Sequence, residues 1–109
     1  MTAADALTAE RMAAQSRIAA LEAQVAAIVE TASASSGDDE HDPEGQTVAY
    51  DRAQAQALLG RARADLAEVD AAFGRLAAGT YGVCEVCGRS IPGERLEARP
   101  AARRCVRHA

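Results

Sequence analysis

The sequence predicts a mainly α-helical protein. A long antiparallel helical hairpin of coiled-coil type spans 1–78, and a small module over 79–109 is built around a cysteine cluster. Three observations carry this expectation. Of 109 residues, 28 are alanine, whereas aromatic residues make up only 3%. A chain this short with so little bulk cannot fill a thick core around a buried pocket, so it must lean on long helices or a covalent or metal staple. Apolar residues recur at coiled-coil spacing along two stretches of similar length. All three cysteines fall between positions 84 and 105.

The first helix is expected over about 3–34. Leu7, Arg11, Ala14, Ile18, Leu21, Val25 and Ile28 alternate steps of four and three, the a/d spacing of a coiled-coil seam, with Arg11 as the one interruption. The second, over about 47–78, repeats the pattern through Val48, Arg52, Ala55, Leu59, Ala62, Leu66, Val69, Phe73 and Leu76. Neither helix can bury its stripe alone. Folding the two together gives a rod on the order of 48 Å long, from a rise of about 1.5 Å per residue. A homodimeric coiled coil would show the same heptads, but the matched lengths and a breaker-rich middle favour a monomeric hairpin. Gly60 and Gly74 lie inside the second helix, where glycine is unfavourable; close helix contact or a bend would each account for them.

Between the helices stands Ser33-Ala34-Ser35-Ser36-Gly37-Asp38-Asp39-Glu40-His41-Asp42-Pro43-Glu44-Gly45-Gln46. Serine, glycine and proline end the helical pattern, and Asp42-Pro43 suits an N-cap followed by proline in a first helical turn. The acids Asp38, Asp39, Glu40, Asp42 and Glu44 have no basic neighbour there. They are either a solvated turn favouring the next helix N-terminus or a functional acidic tip at about 35–46.

The cysteines read Cys84-Glu85-Val86-Cys87, then Cys105-Val106-Arg107-His108, a C-x2-C-x17-C-x2-H spacing. Two short turns, each offering two ligands, are what tetrahedral zinc requires, which makes the module a zinc finger with Cys84, Cys87, Cys105 and His108 as ligands. Gly88 suits the tight turn after Cys87. With four protein ligands, one Zn2+ would be structural rather than catalytic, and it would supply much of the segment's folding free energy. A redox thiol pair at Cys84 and Cys87 is the competing reading. No nucleophile–base pair, phosphate-binding glycine loop or open metal position marks an enzyme.

Charge divides along the same boundary. Residues 1–78 carry six arginines against thirteen acids, and residues 79–109 carry six arginines against three. No apolar run matches a membrane span and no signal-peptide pattern opens the chain, so a cytoplasmic location is expected. An odd cysteine number grouped at metal spacing suits a reducing compartment.

Helical hairpin, acidic tip and two-pair finger together resemble the DksA/TraR family of bacterial transcription factors. Tyr81-Gly82-Val83-Cys84-Glu85-Val86-Cys87-Gly88 looks like the family's first zinc knuckle. Ile91 and Arg95-Leu96-Glu97-Ala98-Arg99-Pro100 look like the approach to its second. The resemblance implies direct binding to RNA polymerase core or holoenzyme, with no sequence-specific DNA site and no membrane. The hairpin would enter the secondary channel, the tip acids would lie near the active site, and the finger would dock outside, with Arg89, Arg95 and Arg99 as docking candidates.

Three departures accompany it. The family tip commonly reads Asp-x-x-Asp-x-Ala. Starting at Asp42 puts Gly45 and Thr47 at its second and third positions, whereas starting at Asp39 recovers Asp42 but puts Glu44 at the alanine. Histidine replaces the last cysteine. Some members continue into a C-terminal helix beyond the finger, and any site for the stringent-response alarmone that depends on it is left open. Two other functions compete: a finger binding nucleic acid through Arg89, Arg95, Arg99, Arg103, Arg104 and Arg107, and a coiled-coil adaptor. Against nucleic acid, only Tyr81 offers a stacking surface near the finger.

Overall fold

The computed structural model of the protein describes residues 1–34 and 43–109. Helix α1 runs Ala3–Ala34 and α2 runs Pro43–Ala78, with a short α3 at Gly93–Ala98 and a 3-10 turn at Val106–His108. The mainly helical hairpin with a C-terminal cysteine module is therefore the observed fold. No helix among the described residues is long and apolar enough to cross a membrane.

Helix α1 starts at a reciprocal cap. Asp5 N–H donates to Thr2 Oγ1 and Thr2 N–H donates to Asp5 Oδ2, both at 3.1 Å, which satisfies two donors at a helix start. The hydrogen bonds from Thr2 also hold the Asp5 carboxyl below its ordinary value. Helix α2 begins four residues before the expected position, at Pro43. Proline at the first helical position loses no hydrogen bond and is already set at a helical φ, so the weakly apolar turn ahead of Val48 is drawn into the helix. At the other end Gly79 adopts φ 80°. Thr80 N–H donates to Arg75 O at 2.9 Å and Gly79 N–H to Leu76 O at 3.3 Å, a Schellman stop that only glycine enters without strain.

Cross-helix contacts fix the antiparallel sense. Arg11 pairs with Asp70 at 2.8 Å, Arg17 with Asp65 at 3.9 Å and Glu22 with Arg63 at 3.4 Å, so position falls along α2 as it rises along α1. The seam is the expected one. Leu7, Ala14 and Leu21 are buried seven residues apart, and Ala55, Ala62 and Val69 answer them on α2. Ile18, Val25, Ile28, Val48, Leu66, Phe73 and Leu76 are half-buried; of the expected α2 stripe only Arg52 is exposed. Within the one chain the two stripes face and cover each other.

Arg11 does not break this seam. Its guanidinium lies 4.1 Å from the centre of the Phe73 ring while Nη2 and Nε donate to Asp70 Oδ1 at 2.8 and 3.2 Å. The aliphatic stem stays with the apolar stripe and the charged head is paired at its edge. The glycines receive a different answer. A Cβ at Gly60 or Gly74 would meet nothing within 4 Å, which removes close helix contact as their reason.

The molecule measures 60 × 26 × 20 Å. It exceeds the expected rod because α2 has 36 residues, about 54 Å of helix, and the cysteine module extends the base. There Leu7, Val69 and Ala72 form a core joined by Phe73, Leu76, Tyr81 and Ala101.

Candidate metal centre

The first two cysteines sit on a tight β-turn structure. Val83 and Ser90 form an antiparallel bridge, Ile91 N–H donates to Gly82 O at 2.7 Å, and Cys84 N–H donates to Arg89 O at 2.8 Å. Gly88 N–H closes the knuckle onto Cys84 O at 2.9 Å, with φ 71° at that glycine. The left-handed conformation there is the reason the turn after Cys87 requires glycine. The second pair is presented by the 3-10 turn, in which His108 N–H donates to Cys105 O at 3.0 Å. Cys84, Ile91 and Cys105 form a small core with Leu96 of α3 packed against it, which gives the module its own apolar support.

These turns bring the four expected ligands together. The ligand atoms of Cys84, Cys87, Cys105 and His108 lie within 4.8 Å of one another. Cys87 Sγ and Cys105 Sγ are 3.9 Å apart, and His108 Nδ1 is 3.2 Å from Cys105 Sγ and 3.8 Å from Cys84 Sγ. Tetrahedral zinc with bonds of about 2.3 Å to sulfur and about 2.0 Å to nitrogen needs separations near 3.8 and 3.5 Å. The donor set therefore fits, through Nδ1 of the histidine, and the module carries one structural zinc site.

The electrostatics favour the same assembly. Backbone N–H groups of Cys105 and Cys87, with Val86, aim at the Cys84 sulfur and lower its pKa to about 5. The Cys105 and Cys84 sulfurs raise the His108 pKa. Arg89 N–H draws Cys87 down, but desolvation and the neighbouring sulfurs outweigh it and push this thiol up. Three sulfurs this close resist being negative together, and a divalent cation relieves that repulsion. A groove of about 540 Å³ opens beside the ligands, lined by Cys87, His108, Arg89 and Arg107 among others.

Around the site the arginines are unequally used. Arg103 pairs with Glu68 at 2.5 Å and Glu85 at 3.7 Å, and Arg104 pairs with Glu85 at 2.7 Å. Arg95 Nε donates to Arg104 O at 2.7 Å. Of the six arginines offered for nucleic acid, Arg103 and Arg104 are thus neutralised within the chain, which shrinks that patch. The role of Glu85, between the first two ligands, went unread in the sequence; its one signal was an acid facing two consecutive arginines before Cys105. Asp38, Asp39, Glu40, His41 and Asp42 lie outside the described residues. Glu44 falls in the first turn of α2, with its side chain outside them too.

Residues 79–107 match the family described as the prokaryotic dksA/traR C4-type zinc finger. The match ends one residue before His108, where this chain departs from a fourth cysteine. General stress protein 16O of Bacillus subtilis (strain 168) is 44% identical over 72 residues, covering 66% of this chain and 44% of that protein. The uncharacterised protein YteA of the same organism is 41% identical over 64 residues, 59% of this chain and 27% of its own. The chain thus spans less than half the length of these curated relatives. The structure of transcription factor DksA2 from Pseudomonas aeruginosa superposes with a TM-score of 0.78 at 27% identity, over 95% of this chain and 74% of that one. Knuckle sequence, ligand convergence and a shared fold over nearly the whole chain lead to one conclusion: residues 79–107 form a zinc finger of the dksA/traR type, and together with the fold shared with DksA2 this supports a DksA/TraR family protein.

Proposed function

We propose that this protein is a transcription regulator that binds bacterial RNA polymerase directly, without catalysis of its own and in the cytoplasm. The likeness to transcription factor DksA2 over 95% of the chain carries the reading. In it residues 1–78 are the rod, inserted in the secondary channel to modulate initiation. Residues 79–109 are a foot held by zinc on Cys84, Cys87, Cys105 and His108. The whole molecule, finger included, is thin in two dimensions, at 26 and 20 Å, and the rod's seam packs through alanines at 14, 55 and 62. Asp38, Asp39, Glu40, Asp42 and Glu44 would supply negative charge near a magnesium-dependent site. Arg89 and Arg99, which make no ion pair among the described residues, serve docking better than Arg95, which already holds Arg104 O.

The test is capture of RNA polymerase core by the tagged protein, followed by promoter-complex lifetimes. Binding at micromolar concentration with altered lifetimes is expected, and failure to bind core enzyme would overturn the reading. If Asp42→Asn leaves binding intact but abolishes the lifetime effect, the tip is active. An unchanged effect would return Asp42 to a solvated turn. Repeating the lifetimes with and without the alarmone settles its part.

A further inference from the structure

We propose that segment Pro100–Arg104 is a strap transmitting zinc occupancy to the base of the hairpin, with Glu85 and Arg103 as its positioning residues. The inference stands on the zinc site and the rod, independent of any polymerase partner. The strap joins α3 to ligand Cys105 and touches both halves of the molecule. Toward the rod, Ala101 packs into the base core with Leu7, Val69 and Ala72. Arg75 Nη2 donates to Ala101 O at 3.2 Å, Tyr81 OH donates to Pro100 O at 2.7 Å, and Arg103 Nε donates to Glu68 Oε2. Toward the first knuckle, Glu85 N–H donates to Arg103 O at 2.9 Å. The Glu85 carboxylate in turn accepts from Arg104 Nε at 2.7 Å and pairs with Arg103.

Glu85 lies between ligands Cys84 and Cys87, and the strap ends on ligand Cys105. A group that holds the three sulfurs together therefore fixes both ends of this circuit. Without it the ends rest on weak elements. Helix α3 has no buried residue, and the ion pairs join side chains that are 38–51% exposed, each too weak to hold a loop in place. Losing zinc frees Cys105, then the strap, and with it the cover over Leu7, Val69 and Ala72. The upper seam around Leu21, Leu59 and Ala62 forms a cluster of its own, packed with Ile18, and keeps its packing.

Hydrogen exchange on the full chain, zinc-loaded and after chelation with EDTA, tests this. Chelation should cost amides around Val69–Phe73 about tenfold or more of their protection, while those around Leu59–Ala62 keep theirs. Glu85→Gln weakens the circuit on the finger side and Glu68→Gln on the rod side, leaving the Glu85 N–H to Arg103 O bond and the Ala101 packing in place. Each should still bind one zinc, and its loaded form should exchange at the base measurably faster than the loaded native chain, though short of the stripped one. Unchanged base protection on chelation overturns the proposal, as does equal loss along the whole rod. Native-like responses in both variants overturn it as well, and two independent cuts keep the test standing if one variant misfolds.

Discussion

His108 stands where the C4-type finger has a fourth cysteine, and its geometry brings it in with the other three ligands. Nδ1 lies 3.2 and 3.8 Å from two of the sulfurs. His108→Ala should keep a one-to-one site but weaken zinc by at least about tenfold, read by competition with a chromophoric chelator; unaltered affinity would remove it from the ligand set. His108→Cys should retain zinc while making the cluster one charge more negative. The pH dependence follows from the same contacts. Because the thiolates of Cys105 and Cys84 raise the metal-free histidine's pKa above 6.5, zinc must displace a proton that is held beyond neutral histidine's usual range. Affinity should therefore rise with pH through that raised value. On acidification the fall set by the Cys87 thiol, which burial and the neighbouring sulfurs push up, should steepen below the histidine's raised value and again as Cys84 protonates near 5. Zinc release followed by a metallochromic dye from pH 8 to 4 checks the sign, and release that grows with rising pH would contradict it.

At the scale of the element, α2 is longer than its apolar pattern and carries glycines that nothing in the packing requires. A Cβ at Gly60 or Gly74 meets open space, so Gly60→Ala and Gly74→Ala should each stabilise the rod by about 1 kcal/mol. Thermal melts of zinc-loaded protein should rise by about 4–8 °C for each; a fall would mean that a bend at the glycine matters. Arg11 behaves oppositely. Arg11→Ala removes the stacking on Phe73 and the pair with Asp70, both partly exposed, and should cost about 1–2 kcal/mol in the same melts. The stripe on α1 is legible because burial on a helix repeats every seven residues. Arg11 reads as a flaw only because a one-letter pattern does not show a long side chain leaving the seam at its edge.

At the scale of the molecule, shape is the distinguishing property. The Cα radius of gyration is 19.4 Å, whereas a compact domain of this length has about 13 Å. Small-angle scattering should return an elongated particle near 20 Å with the mass of one 11.3 kDa chain. Twice that mass would return the homodimeric coiled coil that the heptads also allow. Both halves depend on the base, where the hairpin core, Tyr81 and the strap meet.

The sequence by itself determined the two helices, their seam and the ligand set of the finger. These are local or periodic properties: a heptad and a pair of x2 turns each lie within a few residues of chain. Only the tertiary structure decided which arginines are spent inside the molecule and which stay free. It also decided that the interior glycines pack against nothing, and that Pro100–Arg104 bridges finger and rod. The partners Arg103–Glu68 and Arg104–Glu85 stand 35 and 19 residues apart. No periodicity links residues at such distances; the fold brings them together, and charge complementarity then selects the pairs.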